Sequence, residues 1–284
     1  MQVVNIKQKE EWSRQALRIL NSEKLPHFAP KQEILKVHQE NIDLIKKNIT
    51  SPHVLILGAT PQLADLALTN NCFVYRVDNN LSMFDAAKKY ETVKQRCNEN
   101  IIINDWLSMK EIEDNRIDLI LGDASLNNVL SMNMLDLFEE LKRVSHTGSL
   151  LSFKQIVFPD KKINDYHFEK VVKSFREIKL TQDEFYLILR FYSFKDLAYD
   201  TKSCLLDAGI VFDLIEKKYK EGKLSESEYA IFDARRGLLK HTIYNKTEQQ
   251  KLFREHLGET SVIYPNNSCV YRDIFNMFSI KINM

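Results

Sequence analysis

The chain has 284 residues, yet it contains only seven glycines and six prolines. A glycine frequency of about 7% would give roughly 20 glycines in a chain of this length. The two closest, Gly209 and Gly222, are 13 residues apart. This spacing excludes a GxGxxG dinucleotide loop, a P-loop and the glycine-rich lid of kinases. The net charge of +1, from 40 basic and 39 acidic residues, argues against nucleic acid as a partner.

The spacing of the cysteines and the length of the apolar stretches exclude further classes of protein. Cys72, Cys97, Cys204 and Cys269 are scattered and show no CxxC or Cys/His spacing that suits zinc. We therefore expect reduced thiols in a cytoplasmic protein, and no metal site. The first residues lack the apolar segment of a signal peptide, and no stretch approaches about 18 apolar residues, so we expect no membrane span.

The first fifty residues have apolar side chains at helical spacing, first around Trp12 and then from Ile34 to Ile45. This pattern predicts that residues 1–50 form an N-terminal helical extension or lid. Trp12 lies in an otherwise polar turn of the first helix. It is a candidate substrate contact, and the alternative is an ordinary anchor of the helix to the core.

From residue 51 onward, short apolar runs alternate with helical patterns. Five strands are predicted, at 54–57, 73–77, 101–103, 117–121 and 149–157, with helices at 63–68, 82–97 and 126–144 between them. Such alternation indicates βαβ units and a parallel sheet. A further crossover helix is predicted at 167–178.

A long helical stretch then interrupts the sheet. Residues 183–257 have few strand signals, Gly258 is placed like a helix cap, and 261–264 and 277–282 resemble closing strands. We predict a Rossmann-like, doubly wound, seven-stranded and mostly parallel sheet. Its α/β core spans 51–182 and 259–284, and 183–258 is a helical insertion that acts as a substrate cap or a homodimer surface. The aromatic residues of 183–199 would form an acceptor pocket, a dimer contact or plain core.

Ligands bind at the carboxyl ends of strands in an open α/β sheet, so the residues after each strand are candidate site residues. Gly58 follows the first strand and allows a sharp turn. Thr60 and Pro61 are typical of a helix start, where free backbone amides can receive an anion. Any βα unit needs such a turn, so this signal is weak by itself.

Three acidic residues follow the next strands. Asp78 can accept hydrogen bonds from both hydroxyls of a ribose. Asp105 with Trp106 can bind an exocyclic amine and stack on a purine. Asp123 follows Gly122 at the point where the strand order reverses, and Gly122, like Gly58, would let the backbone approach a ligand there. Each acid could instead cap a helix, but together they outline a site for a nucleoside without phosphate.

These segments resemble the class I S-adenosylmethionine-dependent methyltransferases, in the branch with a Leu-Gly-x-Thr-Pro first loop. The resemblance covers about residues 51–157. It implies S-adenosylmethionine as the cofactor, with S-adenosylhomocysteine as its product. Four segments would contact it: the loop of Gly58, Ala59, Thr60 and Pro61 beside the methionine moiety; Asp78, Asn79 and Met83 at the ribose; Asp105, Trp106 and Leu107 around the adenine; and Asp123, Ala124 and Ser125 below the sulfonium.

The activity implied by this resemblance is in-line displacement of a methyl group onto a small-molecule acceptor. A general base is required only if the nucleophile is protonated at neutral pH. We expect His38, His241 and His256 to have packing or surface roles. Asn127 is either a substrate contact or a helix cap. Two alternatives stay open: a catalytically silent binding or scaffold protein, and an NAD-dependent oxidoreductase, which the missing loop glycines disfavour.

Overall fold

The computed structural model describes residues 2–21, 29–160, 163–233, 235–237, 239–264 and 269–283. The helices are α1 (Gln2–Asn21), α2 (Gln32–Lys46), α3 (Pro61–Thr69), α4 (Leu81–Ala87), α5 (Met134–Val144), α6 (Phe168–Arg176), α7 (Gln182–Ile188), α8 (Lys195–Ala198), α9 (Ala208–Lys220), α10 (Glu226–Asp233), α11 (Lys246–His256) and α12 (Cys269–Ile274). The strands are β1 (His53–Leu57), β2 (Phe73–Val77), β3 (Glu99–Ile102), β4 (Ile117–Asp123), β5 (Ser145–Ile156), β6 (Tyr199–Asp200), β7 (Leu205–Asp207), β8 (Lys240–Thr242), β9 (Gly258–Ile263) and β10 (Phe275–Ile282).

Seven strands form one sheet in the order β3-β2-β1-β4-β5-β10-β9. The first five are mutually parallel, and β10 runs antiparallel to both of its neighbours. This confirms the predicted seven-stranded, mostly parallel sheet. The strand order reverses between β1 and β4, so their carboxyl ends border the crevice in which a doubly wound sheet binds its ligand.

The alternating side chains of β1 explain why helices cover both faces of the sheet. Val54 and Ile56 pack with Ile42 of α2 and Leu63 of α3 on one face. Leu55 and Leu57 belong to a second cluster on the other face, formed with α5 and α11. These four of the five β1 side chains are at most 1% exposed. A central strand buried on both faces reads in the sequence as an unbroken apolar run.

The predicted extension or lid at 1–50 contains two helices with different positions. Helix α2 packs on the sheet, whereas α1 does not belong to the sheet layer. Buried His38 and Asn41 on α2 both hydrogen-bond the Ser152 hydroxyl of β5, at 2.9 and 3.2 Å. Burial is the main reason that the pKa of His38 is lowered to about 3, so this histidine is a neutral packing residue. A lid role remains a prediction for α1 alone.

The boundaries of the insertion differ from those predicted. The chain leaves the sheet layer at Phe158 and returns at Asn245, and these two residues form an isolated parallel bridge. Helix α6 packs in the core of the insertion rather than on the sheet. Helix α11 packs on the sheet instead, because Phe253 joins the cluster that contains the β5 and β10 aromatic side chains. The insertion therefore spans about residues 159–244, not 183–258.

The sequence pattern suggested a purely helical insertion, but the insertion also contains strands. Strands β6, β7 and β8 form a small antiparallel sheet. The aromatic residues near 183–199 lie inside the insertion, where Phe185, Phe191 and Phe194 are at most 5% exposed. These three therefore form its core and are not available for a dimer contact. His241 is buried beside Phe191, and burial is the main cause that lowers the pKa of His241 to about 3.

Two of the predicted helices are shorter in the structure. The helix predicted at 82–97 ends at Ala87 and continues only as a 3-10 turn to Tyr90. The helix predicted at 126–144 consists of two 3-10 turns followed by α5. In the first case the chain after Tyr90 turns inward, because Glu91 and Glu99 bind a buried arginine on β2.

Asn127 ties the sheet to the insertion. Its amide nitrogen donates to the carbonyl oxygens of Ile156 at 2.9 Å and Thr242 at 2.8 Å, and its oxygen accepts from the Ile156 N–H at 2.9 Å. Both amide N–H groups are thus occupied by backbone, so the structure gives Asn127 a packing role in place of the predicted substrate contact.

Asn127→Ala is expected to destabilise the fold by about 2–3 kcal/mol, because it removes three buried hydrogen bonds. Urea unfolding followed by circular dichroism measures this change. Asn100→Ala, on an exposed position of β3, is the control and should alter stability by less than about 0.5 kcal/mol. Equal stabilities of the two variants would contradict the assigned role.

Candidate functional site

The turn after β1 brings the first candidate residues to the carboxyl end of the sheet. Gly58 has φ +113°, a conformation that L side chains rarely adopt. A Cβ at this position would lie 3.8 Å from both Asp78 Oδ2 and the Trp106 ring. The turn, the β2 acid and the aromatic ring after β3 are therefore brought together, as the sequence predicted. Thr60 is extended and Pro61 begins α3, which leaves the first backbone amides of the helix directed towards this edge.

Asp78 is the acid at the end of β2. Its carboxylate accepts the backbone N–H of Asn80 at 2.9 Å and also interacts with the backbone N–H of Ala59. Burial raises the pKa of Asp78 to about 6, and the hydrogen bond from Asn80 and the nearby Arg76 charge partly oppose this rise. A partly buried carboxylate of this kind needs further hydrogen-bond donors, which the hydroxyls of a ribose would supply.

The loop after β2 also contacts α1. The Asn80 side chain donates to the Lys9 carbonyl and to the Ser13 hydroxyl, both at 3.2 Å. Asn79 is half-buried beside it, and Met83 packs with Ala59 below the first turn. Helix α1 therefore covers the Asp78 loop. Half-buried Trp12 lies on this helix, and its role as a substrate contact remains a prediction.

The loop after β3 is held by its own side chains. Asp105 accepts the Leu107 N–H at 3.1 Å, while the Trp106 indole N–H donates to the Val77 carbonyl at 2.6 Å. Leu107 packs on the sheet cluster. The indole is thus fixed against the end of β2, next to Gly58, where it can form one wall of a nucleoside site.

The fourth segment differs in detail from its prediction. Asp123 is the last residue of β4 rather than the first after it, and it forms a buried ion pair with Lys154 of β5. Burial raises the pKa of the Asp123 carboxyl. Ala124 has φ +56°, an uncommon value for a residue with a side chain. The Ser125 hydroxyl donates to the Leu57 carbonyl at 2.6 Å, which ties the ends of β1 and β4 together.

Gly122 has a packing role and does not mark a ligand approach. A Cβ added there would lie 2.7 Å from Cδ1 of Phe153 and 3.1 Å from the Ser125 hydroxyl. The sequence suggested that both strand-end glycines, Gly58 and Gly122, allow the backbone to approach a ligand. For Gly122 the structure corrects this, because the β5 aromatic ring fills the space.

Gly122→Ala is therefore expected to cost about 1–3 kcal/mol of folding free energy through overpacking. Cofactor affinity of the folded variant should change little. Thermal unfolding and calorimetry measure the two quantities separately, and Phe153→Leu in the same chain should recover part of the lost stability. A stable variant that no longer binds the cofactor would restore the ligand-approach interpretation.

Arg76 on β2 is a residue that the sequence reasoning missed. Its side chain is fully buried, and it donates to Glu91 at 2.7 Å, to Glu99 at 3.0 Å and to the Ala59 carbonyl at 3.1 Å. The guanidinium therefore fixes the turn after β1 through the Ala59 carbonyl, while the Ala59 N–H interacts with the Asp78 carboxylate. The available signal was an arginine inside an apolar strand, because a buried charge requires partners.

Within the described ranges, no group of three or more His, Cys, Asp or Glu side chains is arranged to hold a metal ion. None of the helices in the part of the chain that the structure covers has the length and apolarity needed to cross a membrane. Cys72, Cys97 and Cys204 are free thiols, and the Cys269 side chain lies outside the described residues.

No protein family model matches the sequence, and a search of curated proteins finds no match. Solved structures do match. DhpI in complex with S-adenosylhomocysteine has a TM-score of 0.54 at 9% identity, covering 99% of this chain and 98% of that one. The N-methyltransferase NodS from Bradyrhizobium japonicum, also bound to S-adenosylhomocysteine, has a TM-score of 0.51 at 10% identity, covering 96% and 98%.

A Rhodobacter sphaeroides protein whose name assigns it to the Zn-dependent alcohol dehydrogenases has a TM-score of 0.57 at 14% identity, with 98% of each chain covered. At such identities the likeness extends to the fold alone. The sheet order and these neighbours show that the chain has the class I S-adenosylmethionine-dependent methyltransferase fold. This confirms the resemblance to that fold, whereas the branch with a Leu-Gly-x-Thr-Pro first loop stays a prediction.

Proposed function

We propose that the protein is an S-adenosylmethionine-dependent methyltransferase that transfers a methyl group in line to a small-molecule acceptor. The observation that carries the proposal is the grouping of Gly58, Asp78 and Trp106 at the carboxyl end of the sheet. It combines a close backbone approach, a partly buried carboxylate for a ribose and an aromatic wall for a base. No phosphate-binding glycine loop accompanies it.

The residues present fit this cofactor. The Asp78 carboxylate already accepts backbone N–H groups and has further lone pairs for two hydroxyls. Trp106 and Leu107 would contact the adenine, while Gly58 to Pro61 would hold the methionine part. Asp123 with Ala124 would lie beside the sulfonium. Bound S-adenosylmethionine would supply the activated methyl group, so the protein's own task is to position the acceptor and exclude water.

Helix α1 and the insertion are proposed to enclose the acceptor. Helix α1 contacts the Asp78 loop through Asn80 and the insertion through Arg18, which donates to the Arg236 carbonyl. It therefore bridges the cofactor side and the insertion side of the cleft. Closure by such a cover would keep water from the reacting methyl group.

Calorimetry with S-adenosylmethionine, S-adenosylhomocysteine and NAD tests the proposal. Binding of both adenosyl ligands without binding of NAD is expected. Absence of heat with either adenosyl ligand would reject the proposal, and NAD binding would favour the oxidoreductase alternative. Tight adenosyl binding without methyl transfer to any offered small molecule would favour the silent binding protein.

A further inference from the structure

A narrow cavity adjoins the cofactor side of the cleft and has a floor at the strand ends. Ala124, Lys154 and Ile156 form this floor. The remaining lining comes from α2 and the residues just before it, from α7 with the π-helical turn that follows it, and from α12 with β10. It is mainly aromatic and aliphatic, and its aromatic side chains are Tyr186, Phe191, Tyr271 and Phe275. The cavity thus lies between the proposed sulfonium position and the insertion.

Lys154 is the charged group at the floor of this cavity. Its side chain is only 8% exposed, and it pairs with the Asp123 carboxylate, itself 4% exposed. Its ammonium also lies 5.0 Å from the centroid of the Phe275 ring. Within the described part of the chain, Asp123 is the one polar group that contacts the ammonium. An ammonium has three N–H donors, so two remain for a ligand in the cavity.

We propose that this cavity is the acceptor site and that it takes a flat phenol-type acceptor whose oxygen lies against Lys154 as an oxyanion. The inference rests on the proposed methyltransferase function and adds the acceptor class. The aromatic walls suit a planar ring, and the lysine supplies the positive charge that an oxygen nucleophile requires when it has lost its proton.

The chemistry favours a phenol over an aliphatic alcohol. A neighbouring positive charge lowers the pKa of an acid by about 1–3 units. A phenol with an ordinary pKa near that of tyrosine, about 10, then ionises appreciably at neutral pH. An aliphatic hydroxyl is about as weak an acid as water, and the same shift leaves it protonated. A cationic amine would be repelled by the lysine.

The reaction balances without another reagent. The acceptor loses its hydroxyl proton to solvent on binding, and Lys154 holds the resulting oxyanion. A lone pair of that oxygen forms a bond to the methyl carbon while the methyl–sulfur bond breaks with its electron pair going to sulfur. The products are a methyl ether and neutral S-adenosylhomocysteine. Asp123 stays beside Lys154 throughout and keeps the ammonium in place.

The test uses three coumarins of nearly equal shape: 7-hydroxycoumarin, 7-aminocoumarin and 7-methoxycoumarin. The hydroxyl form changes its absorption spectrum when it ionises, so its pKa in the complex is directly measurable. Each probe is titrated into the full-length protein saturated with S-adenosylhomocysteine. Methyl transfer is measured separately, with labelled S-adenosylmethionine. The charged groups near the bound oxygen are Lys154 and Asp123 at the floor, Lys31, Glu33, Asp183 and Arg272 in the lining, and His38 behind the floor.

We expect 7-hydroxycoumarin to bind as its anion, with its pKa lowered by at least one unit, and to be methylated in preference to the amine. Lys154→Met should abolish the pKa shift and reduce methylation at least tenfold, whereas Lys154→Arg should retain part of the shift. Lys170→Met, at an exposed lysine on α6, is the control. Lys154→Met leaves Asp123 as an unpaired buried charge. If the variant fails to fold for this reason, the double variant Lys154→Met with Asp123→Asn, which has no unpaired charge at this position, is tested in place of the single variant.

Several outcomes would overturn the inference. They are no binding of any coumarin to the protein saturated with S-adenosylhomocysteine, an unshifted pKa in the complex, preference for the amine, or a full shift in the lysine variant. Failure of the proposed function itself is a different result, because S-adenosylhomocysteine would then not bind at all.

Discussion

Asp78→Asn is expected to weaken S-adenosylmethionine binding by about 1–3 kcal/mol, the scale of hydrogen bonds to a charged group. This corresponds to a loss of affinity of about 5- to 150-fold. The ionised carboxylate can accept from two ribose hydroxyls, whereas the asparagine amide offers one acceptor and a misplaced donor. Calorimetry at pH 7.5 measures the change. Unchanged affinity in the folded variant would show that Asp78 does not hold the cofactor.

The same substitution should increase the stability of the fold at neutral pH. The folded-state pKa of Asp78 is raised to about 6, so ionising this carboxylate costs folding free energy above that pH. The cost is absent below about pH 4, where the group is protonated in both states. By linkage, Asp78→Asn should gain about 1–3 kcal/mol near pH 8 and nothing near pH 4. The amide oxygen can still accept the N–H of Asn80.

The pH dependence of binding gives a second readout for the same residue. Wild-type affinity should be constant above about pH 7 and fall below the pKa of about 6, because protonation removes the acceptor. The asparagine variant should show a flat profile. Asp85→Asn, at an exposed carboxylate on neighbouring α4, is the matched control and should preserve both the affinity and the wild-type profile. A stable variant with an unchanged profile would contradict the assignment.

The sheet could be predicted from the sequence because its central strands are long, apolar and separated by helical spacing. Runs such as Val54–Leu57 have one structural interpretation when helices flank them. The small sheet of the insertion could not be predicted, because β6, β7 and β8 are only two or three residues long. So few residues establish no periodicity, and their pairing depends on contacts distant in sequence.

The position of a residue after a strand could predict which residues the fold brings to one edge of the sheet, but it could not predict which partners each side chain binds. Gly58, Asp78 and Trp106 each follow a strand end, and the structure brings them together. The role of Lys154 could not be predicted, because this lysine lies inside β5 and its partner Asp123 is 31 residues earlier, on the adjacent strand. Asn127 shows the opposite error. Its position beside the cleft suggested a ligand contact, but its side-chain amide donates to backbone carbonyls instead.

Arg76→Met is expected to have the largest effect on the fold. The change removes the fully buried partner of Glu91 and Glu99 and leaves them only Arg96, at 3.7 and 2.6 Å. Breaking a buried ion pair on one side costs about 3–5 kcal/mol, which is the upper limit here because Arg96 remains. It also removes the donor to the Ala59 carbonyl, so the first turn loses the contact that orients it. Stability should therefore fall in urea unfolding, and cofactor affinity should fall in calorimetry on the folded fraction.

Arg96→Met is the matched control for this substitution. Arg96 also binds Glu99, at 2.6 Å, and pairs with Asp65, but its hydrogen bonds do not include the Ala59 carbonyl. Its loss should cost stability while cofactor affinity stays close to that of the wild type. If both arginine variants lose affinity equally, the effect belongs to general loosening of the segment and not to the Ala59 contact.

A compensated variant separates the two roles of Arg76 completely. Combining Arg76→Met with Glu91→Gln removes the carboxylate that Arg96 holds less closely, at 3.7 Å against 2.6 Å for Glu99, and should recover part of the lost stability, because neutral groups are less costly to bury. The Ala59 carbonyl still lacks its donor, so cofactor affinity should remain low. Arg76→Lys keeps the positive charge, but a lysine lacks the planar fork that reaches three acceptors. This variant should therefore keep more stability than Arg76→Met while still losing part of the cofactor affinity. Recovery of affinity together with stability in the compensated chain would show that the arginine acts on the cofactor turn only through folding.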